Sequence, residues 1–124
     1  MNTVFFPGKF QPPHIGHVLT ISKLMREGYS VVIGISQDTP RVLPQKKVRE
    51  IFFTIFGRRV EYYLFDGVLT DYKDLKDFPS FDVLASGNDD VLLWGLNLGL
   101  SVKKTERSEG IGQSGTELRK LWKK

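Results

Sequence analysis

The chain has 124 residues, a net charge of +4, 40% apolar residues and no cysteine. This length is typical of one domain with its own core, so we expect a single domain over residues 1–124. The composition excludes a disulfide scaffold and a thiolate metal site. No stretch approaches the roughly 20 apolar residues of a membrane span, and the N-terminus lacks the pattern of a signal peptide, so we expect a cytoplasmic protein and no membrane partner.

The excess positive charge lies at the C-terminal end of the chain. Residues 103–124 hold seven basic and three acidic side chains, whereas the first 102 residues hold eleven of each. Either a solvated basic tail or a surface that faces an anion explains this pattern. The excess is too modest to predict nucleic acid as a partner.

Hydrophobic periodicity and turn residues predict alternating strands and helices. In chain order the first elements are a strand at 4–6, a helix from 14 closed by Gly28, and a strand at 31–35. A helix over 45–56 stopped by Gly57, a strand at 60–65 and a weakly helical acidic stretch at 66–78 follow. The last elements are a strand at 81–85, a helix over 89–98 capped by Asn88 or Asp89, a strand at 100–103, a glycine-rich loop at 107–115 and a final helix capped by Ser114 or Thr116.

This alternation predicts an α/β fold, a single Rossmann-like parallel sheet of about five strands with helices on both faces. Ligands of such sheets bind beyond the carboxyl ends of the strands, where the strand order reverses. Gly8 follows the first predicted strand and Gly87 follows the fourth. We therefore expect these two turns to be neighbours in space.

The first motif is the stretch Gly-Lys-Phe-Gln-Pro-Pro-His-Ile-Gly-His at 8–17. A strand, a glycine turn and a helix start present bare backbone N–H groups and the positive end of a helix dipole, which together favour phosphate. Gly8 allows a phosphate close to the backbone, and Lys9 adds a cation. His14 and His17 are the only histidines; they share a helix face and can be charged or neutral near pH 7. No third ligand accompanies them, so we predict no metal site.

The second motif is Ser-Gly-Thr-Glu-Leu-Arg at 114–119. Two hydroxyls and a glycine at a helix start form a second anion cradle. Arg119 lies one turn inside this predicted helix and can point back at the same anion. The two motifs together predict one polyanion held from two sides.

The pattern Gly8-x-Phe10-x-Pro12-x-His14-x-Gly16-His17, paired with 114–119, resembles the nucleotidyltransferase superfamily. The likeness is strongest to archaeal-type nicotinamide mononucleotide adenylyltransferases, and it includes Arg49 and the turn at 86–89. The compact size and residues 107–111 resemble glycerol-3-phosphate cytidylyltransferases.

The resemblance implies transfer of a nucleoside monophosphate, with AMP favoured, from a triphosphate to a phosphorylated small molecule, with release of pyrophosphate. ATP is favoured over CTP, and Mg²⁺ is implied as an ion that arrives on the triphosphate. Residues at both motifs are implied to contact the triphosphate, with His17 nearest the reacting phosphorus: Lys9, His14, His17, Ser114, Thr116 and Arg119. The implied nucleotide-binding residues also include Gly8, Phe10, Gly16, Gly87, Asp89 and Gly115, with Asp89 on the ribose hydroxyls. Arg49 is implied to reach the acceptor or the triphosphate.

Three alternatives stay open from the sequence. A cytidylyltransferase would act on a sugar or polyol phosphate such as glycerol 3-phosphate. The other two alternatives are of a different functional class. One is a nucleotide-binding module without catalysis, and the other is an RNA-binding protein that uses the basic C-terminal end. A homo-oligomer is also compatible, because Trp94, Leu96 and Leu98 suit either a core or an interface.

Overall fold

A computed structural model describes residues 2–37 and 43–105. The strands are β1 (Thr3–Gly8), β2 (Ser30–Gln37), β3 (Glu61–Asp66), β4 (Val83–Ser86) and β5 (Ser101–Lys104). The α-helices are α1 (Ile15–Arg26), α2 (Gln45–Phe56) and α3 (Asp89–Asn97), and single 3₁₀ turns occupy Gly57–Arg59 and Leu69–Asp71. Each of the five predicted strands is present, with ends moved by one or two residues. The predicted loop at 107–115 and the helix after it lie outside the described residues.

The five strands form one parallel sheet in the order β3-β2-β1-β4-β5. The chain runs outward from β1 to β3 and then returns to the other side of β1, so the strand order reverses between β1 and β4. β1 and β4 pair directly, with Val4 opposite Val83 and Phe5 opposite Leu84. The same offset, continued past the pairs, brings Gly8 level with Gly87. The predicted α/β fold and the predicted nearness of these two turns are confirmed.

Side chains alternate between two cores because successive strand residues point to opposite faces. On the first face, Val4, Ile33 and their neighbours are covered by Leu24 of α1 and Phe52 of α2. On the second face, Phe5 and its neighbours are covered by α3 and by the segment at 67–82. Helices therefore lie on both faces of the sheet.

The acidic stretch at 66–78 was predicted to be weakly helical, and this prediction is wrong. Its one regular element is the 3₁₀ turn Leu69–Asp71. Tyr72 and Phe78 instead turn inward and pack against Phe65 in the second core. The backbone is held by side chains from elsewhere: the indole of Trp94 donates to the Tyr72 carbonyl at 2.8 Å. Burial of aromatic rings on the sheet has overridden a weak helical tendency, and the half-buried Trp94 packs against the second core.

Local signals set the helix ends. Gly28 has a φ of +95° and Gly57 a φ of +59°, which are conformations that glycine adopts readily, and each follows the end of its helix. Asn88, one of the two predicted caps of α3, accepts the Asp90 N–H at 2.8 Å. Among residues 2–37 and 43–105, no helix has the length and apolar character needed to cross a membrane.

Candidate active site

The residues of the first motif lie at the carboxyl edge of the sheet, beside the place where the strand order reverses between β1 and β4. The loop after β1 leads into α1, and the turn after β4 leads into α3. In parallel α/β sheets this is the place where ligands bind. The local structure of the two helix starts therefore decides which groups a ligand meets.

His14 and His17 cap α1 by exchanging hydrogen bonds with its backbone. His14 is the N-cap residue, and its Nδ1 accepts the Gly16 N–H at 3.0 Å. Three residues on, His17 reaches back, and its Nδ1 accepts the His14 N–H at 3.1 Å. This arrangement has the form of a capping box, with two imidazoles in place of the usual hydroxyl and carboxylate.

The caps determine which ring nitrogen carries the proton. A backbone N–H is always a donor, so each Nδ1 acts as an acceptor and each neutral ring carries its proton on Nε2. The expectation of bare N–H groups at this helix start needs correction, because the N–H groups of His14 and Gly16 already donate to imidazoles. The first motif thus offers two Nε2–H donors, carried on stacked rings whose centroids lie 3.8 Å apart.

His17 is neutral at physiological pH. Burial, and secondly the neighbouring His14, lowers the pKa of His17 to about 3. The expectation that both histidines can be charged or neutral near pH 7 is therefore wrong for His17. At neutral pH it acts as a hydrogen-bond donor through Nε2–H and contributes no net positive charge.

The buried Phe10 ring packs against the His17 imidazole from the core side. It is 4% exposed and meets the His17 ring edge to face at 4.8 Å. On its other side it meets Phe52 of α2 at 4.9 Å. A Cβ at Gly8 would lie 2.9 Å from the Phe10 ring, so this ring is one structural reason for glycine at position 8.

Two glutamines that the sequence analysis did not single out fasten the loops at this edge. The Gln11 side chain donates to the Leu43 carbonyl at 2.9 Å and accepts the Leu43 N–H at 2.6 Å, which joins the loop after β1 to the loop before α2. Gln45 donates to the carbonyls of Ile35 and Phe65 at 2.7 and 3.0 Å, across the ends of β2 and β3. Such bonds to distant backbone depend on tertiary structure, and the one local signal is the position of Gln45 after Pro44 at a helix start.

The turn after β4 is held by its own polar groups. Ser86 Oγ accepts the Asn88 N–H at 3.0 Å, and Gly87 lies between these two residues. Asp89, the first residue of α3, forms an exposed ion pair with Lys104 of β5 at 3.0 Å. The roles of Gly87 and Asp89 at a nucleoside stay predictions.

The remaining predicted residues are dispersed. Lys9 lies in the loop after β1, half-buried. Arg49 lies one turn into α2, and its guanidinium covers the rings of Phe53 and Tyr62 at 5.9 and 5.5 Å. The whole second motif lies outside the described residues: Ser114, Gly115, Thr116 and Arg119. Within the described part of the chain, no group of three or more His, Asp or Glu side chains is arranged to hold a metal ion.

Comparison with protein sequences finds relatives among the nucleotidyltransferases. The family model described as cytidylyltransferase-like matches residues 5–54. A nicotinamide-nucleotide adenylyltransferase of Methanolobus tindarius is 30% identical over 138 residues, which span 97% of this chain and 76% of that protein.

Solved structures share the fold. The lipopolysaccharide core biosynthesis protein from Thermoplasma volcanium GSS1 superposes with a TM-score of 0.59 at 17% identity, over 84% of this chain and 93% of that one. A bifunctional NMN adenylyltransferase/ADP ribose pyrophosphatase from Francisella tularensis, solved with AMP and a manganese ion, has a TM-score of 0.58 at 15% identity, over 86% of this chain and 37% of that one.

Proposed function

The chain belongs to the nucleotidyltransferase superfamily, and we propose that this enzyme transfers AMP from ATP to nicotinamide mononucleotide. ATP is proposed over CTP because a curated nicotinamide-nucleotide adenylyltransferase matches nearly the whole chain, whereas the cytidylyltransferase-like model matches residues 5–54. A cytidylyltransferase acting on a polyol phosphate is the second candidate, favoured by that family match.

One observation supports the chemistry most directly. Two imidazoles cap the helix start at the reversal of strand order, and each carries its ring proton on Nε2. Donors held in place before the substrate binds stabilise oxyanion charge without reorganising during the reaction. A chain of phosphates beyond the end of β1 is the ligand that such donors fit.

The proposed reaction is a displacement at the α-phosphorus of ATP. An oxygen of the acceptor phosphate forms a bond to this phosphorus, and the bond from the phosphorus to the oxygen bridging the α- and β-phosphates breaks, releasing pyrophosphate. A phosphate monoester has a second pKa of about 6, so it is already a dianion at neutral pH and needs no general base. The protein therefore has to align the two phosphates and stabilise charge on their oxygens.

In this mechanism His17 donates from Nε2 to an oxygen of the reacting α-phosphate, and His14 donates to the same triphosphate. Lys9 supplies positive charge to the β- and γ-phosphates, a role shared with Ser114, Thr116 and Arg119 of the second motif. Gly87 follows β4, which pairs directly with β1, and Gly87 and Asp89 are proposed to contact the nucleoside. Arg49 is proposed to approach the acceptor, which requires its guanidinium to leave the rings of Phe53 and Tyr62.

Mg²⁺ fits this site as an ion bound to the triphosphate. The described residues of the first motif offer N–H donors, which suit anionic oxygens, and no carboxylate cluster that suits a cation. When bound, Mg²⁺ would neutralise charge on the triphosphate oxygens. The imidazoles would then act on the oxygens that the ion leaves uncovered.

A pyrophosphate-release screen tests the proposal. ATP and CTP are each combined with nicotinamide mononucleotide and with glycerol 3-phosphate in the presence of Mg²⁺, and the nucleotide product is identified by mass. We expect the fastest release with ATP and nicotinamide mononucleotide. Faster release with CTP and glycerol 3-phosphate would establish the second candidate, and nucleotide binding without release from any pair would indicate a non-catalytic module.

The variant His17→Ala tests the catalytic assignment within the same screen. Loss of one donor to the transition state typically lowers turnover by about 10²–10³, and we expect a loss on this scale for the preferred pair. Circular dichroism should show an intact fold, so that the loss reports on chemistry. Turnover close to that of the wild type would remove His17 from the mechanism.

A further inference from the structure

We infer that Phe10 is a positioning residue that supports the imidazole of His17 from the core side and thereby acts on the reaction through His17. This inference rests on the proposed function for its effect on turnover. Its structural half, the support of the ring, is independent of the reaction. The resemblance to known enzymes implies a nucleotide-binding role for Phe10, whereas its burial favours an indirect one.

The backbone of Phe10 has an unusual conformation. Its φ is +53°, and it is the one non-glycine residue with a positive φ in the described ranges 2–37 and 43–105. A bulky side chain in this conformation costs free energy, and such residues cluster at functional sites. The conformation turns the Phe10 ring back over Gly8, where a Cβ would lie only 2.9 Å from the ring.

The Phe10 ring is buried among aromatic side chains. At 4% exposure, the Phe10 side chain has almost no surface left for a nucleotide. Its contacts are with Phe6 at 5.9 Å, Phe52 at 4.9 Å and His17 at 4.8 Å. Because Phe6 belongs to β1 and Phe52 to α2, Phe10 links the buried core of the first face to the His17 imidazole.

The His17 imidazole is enclosed by His14 and Phe10. The His17 ring stacks on His14 at an interplanar angle of 28° and meets the Phe10 ring edge to face at 90°. The His14 N–H occupies Nδ1. If Phe10 is shortened, the imidazole gains room to rotate away from the His14 N–H, and both the position of Nε2 and the preference for a proton on it weaken.

The test compares Phe10→Leu and Phe10→Met with the wild type. Neither replacement branches at Cβ, so neither adds to the backbone cost at this φ. Phe56→Leu is the matched control, because Phe56 is equally buried at 4% in the same core. Among the described residues, its ring forms no ring pair with either histidine. Thermal unfolding verifies that each variant is folded.

The direct readout is nitrogen NMR of protein labelled at histidine. The chain has two histidines, so the spectrum contains two imidazoles, and His14→Asn assigns them. In the wild type we expect His17 to show the Nε2–H form. In Phe10→Leu and Phe10→Met its two nitrogen shifts should move toward each other, as expected for a mixture of tautomers, while Phe56→Leu leaves them unchanged. Unchanged His17 shifts in both Phe10 variants would overturn the inference.

The kinetic readout separates positioning from binding. Displacement of a catalytic group by about 1 Å costs on the order of 10²-fold in rate, so we expect kcat to fall by about tenfold or more in the Phe10 variants. KM for ATP should stay within about twofold, and Phe56→Leu should match the wild type in both constants. A raised KM with unchanged kcat would overturn the inference in favour of direct nucleotide contact.

The two readouts distinguish the possible failures. If the screen finds no transferase activity while the His17 shifts move as expected, the proposed function fails and the support of His17 by Phe10 stands. If transferase activity is found and the shifts stay fixed, the proposed function stands and the inference about Phe10 fails.

Discussion

At the start of α1, two imidazoles do what hydroxyl and carboxylate side chains usually do for a helix. His14 satisfies the Gly16 N–H, and His17 satisfies the His14 N–H. Each histidine therefore has a structural role in the helix cap and, in the proposed mechanism, a chemical role as donor. Substitutions that keep one role and remove the other separate them.

The pair His14→Asn and His14→Ala makes this separation at the N-cap. Asparagine is among the best N-cap residues, so His14→Asn should keep the free energy of unfolding within about 0.5 kcal/mol of the wild type, whereas His14→Ala should lose about 1 kcal/mol. Both variants lack the imidazole, and both should lose turnover on a scale of about 10²-fold. Denaturant unfolding and the pyrophosphate assay measure the two effects. Full activity in His14→Asn would show that the cap alone is required.

His17 makes stability depend on pH. The unfolded chain binds a proton at this residue below its ordinary pKa of 6.5, whereas the folded chain does so only near a pKa of about 3. The unfolded state thus binds more protons between these values, and stability falls as pH falls from about 6.5 towards 3. His17→Gln should remove this loss, because glutamine at the third helix position can accept the same N–H without titrating.

Denaturant unfolding of the wild type and His17→Gln at pH 6 and pH 5 measures the effect. The wild type should lose about 1 kcal/mol more than the variant over this interval, from the limit of about 1.4 kcal/mol per pH unit for one proton. Comparing the two proteins cancels the titration of the carboxylates that they share. Equal losses in the two proteins would contradict the burial of a neutral His17.

At the scale of elements, the sequence predicts most of the fold because each signal is local. The apolar run of β2 and the Gly57 stop of α2 can be read without knowledge of the neighbours. The segment at 66–78 shows where this ends, since its aromatic residues are placed by contact with Phe65 and Trp94, which no local pattern encodes. Prediction is limited in the same way at the site. The histidine pair is visible in the sequence, whereas the Gln11 bond to Leu43 and the packing of Phe10 against His17 depend on segments that meet only in the folded chain.

Gly34 in β2 is a second feature whose reason appears only in three dimensions. Its missing side chain makes room for the Phe5 ring of β1, since a Cβ at Gly34 would lie 2.4 Å from the ring. That ring is fully buried and stacks on Phe81 at 5.0 Å, so it has little freedom to retreat. Gly34→Ala should therefore destabilise the protein by about 1–3 kcal/mol, as overpacked cores do.

Gly95→Ala in α3 is the matched comparison for Gly34→Ala. Its Cβ would approach the terminal methyl of Leu84 at 2.5 Å, but alanine is favoured over glycine inside a helix by roughly 0.8–1.0 kcal/mol. The gain in helix propensity offsets part of the clash, so the loss should be smaller than for Gly34→Ala. Urea unfolding of both variants gives the two values, and a larger loss for Gly95→Ala would contradict the packing argument.

For the whole molecule, the parallel order β3-β2-β1-β4-β5 brings together turns that are far apart in sequence. Gly8 and Gly87 approach each other only when β1 and β4 pair, so the proposed ligand surface between their loops exists only in the folded state. A ligand that binds this surface must therefore stabilise the fold as a unit, by RT ln(1 + [L]/Kd).

Thermal unfolding with nucleotides tests this coupling at the level of the whole protein. At a concentration of ATP with Mg²⁺ about one hundred times its Kd, the stabilisation is about 2.7 kcal/mol, which for a chain of this size raises Tm on the order of 10 °C. CTP at equal concentration should raise Tm less, and His14→Asn should reduce the ATP effect because one of the proposed donors to the triphosphate is lost. A larger shift with CTP would favour the cytidylyltransferase candidate. A Tm unmoved by either nucleotide would mean that the edge between β1 and β4 does not hold a triphosphate, because binding confined to the folded state cannot leave Tm unchanged.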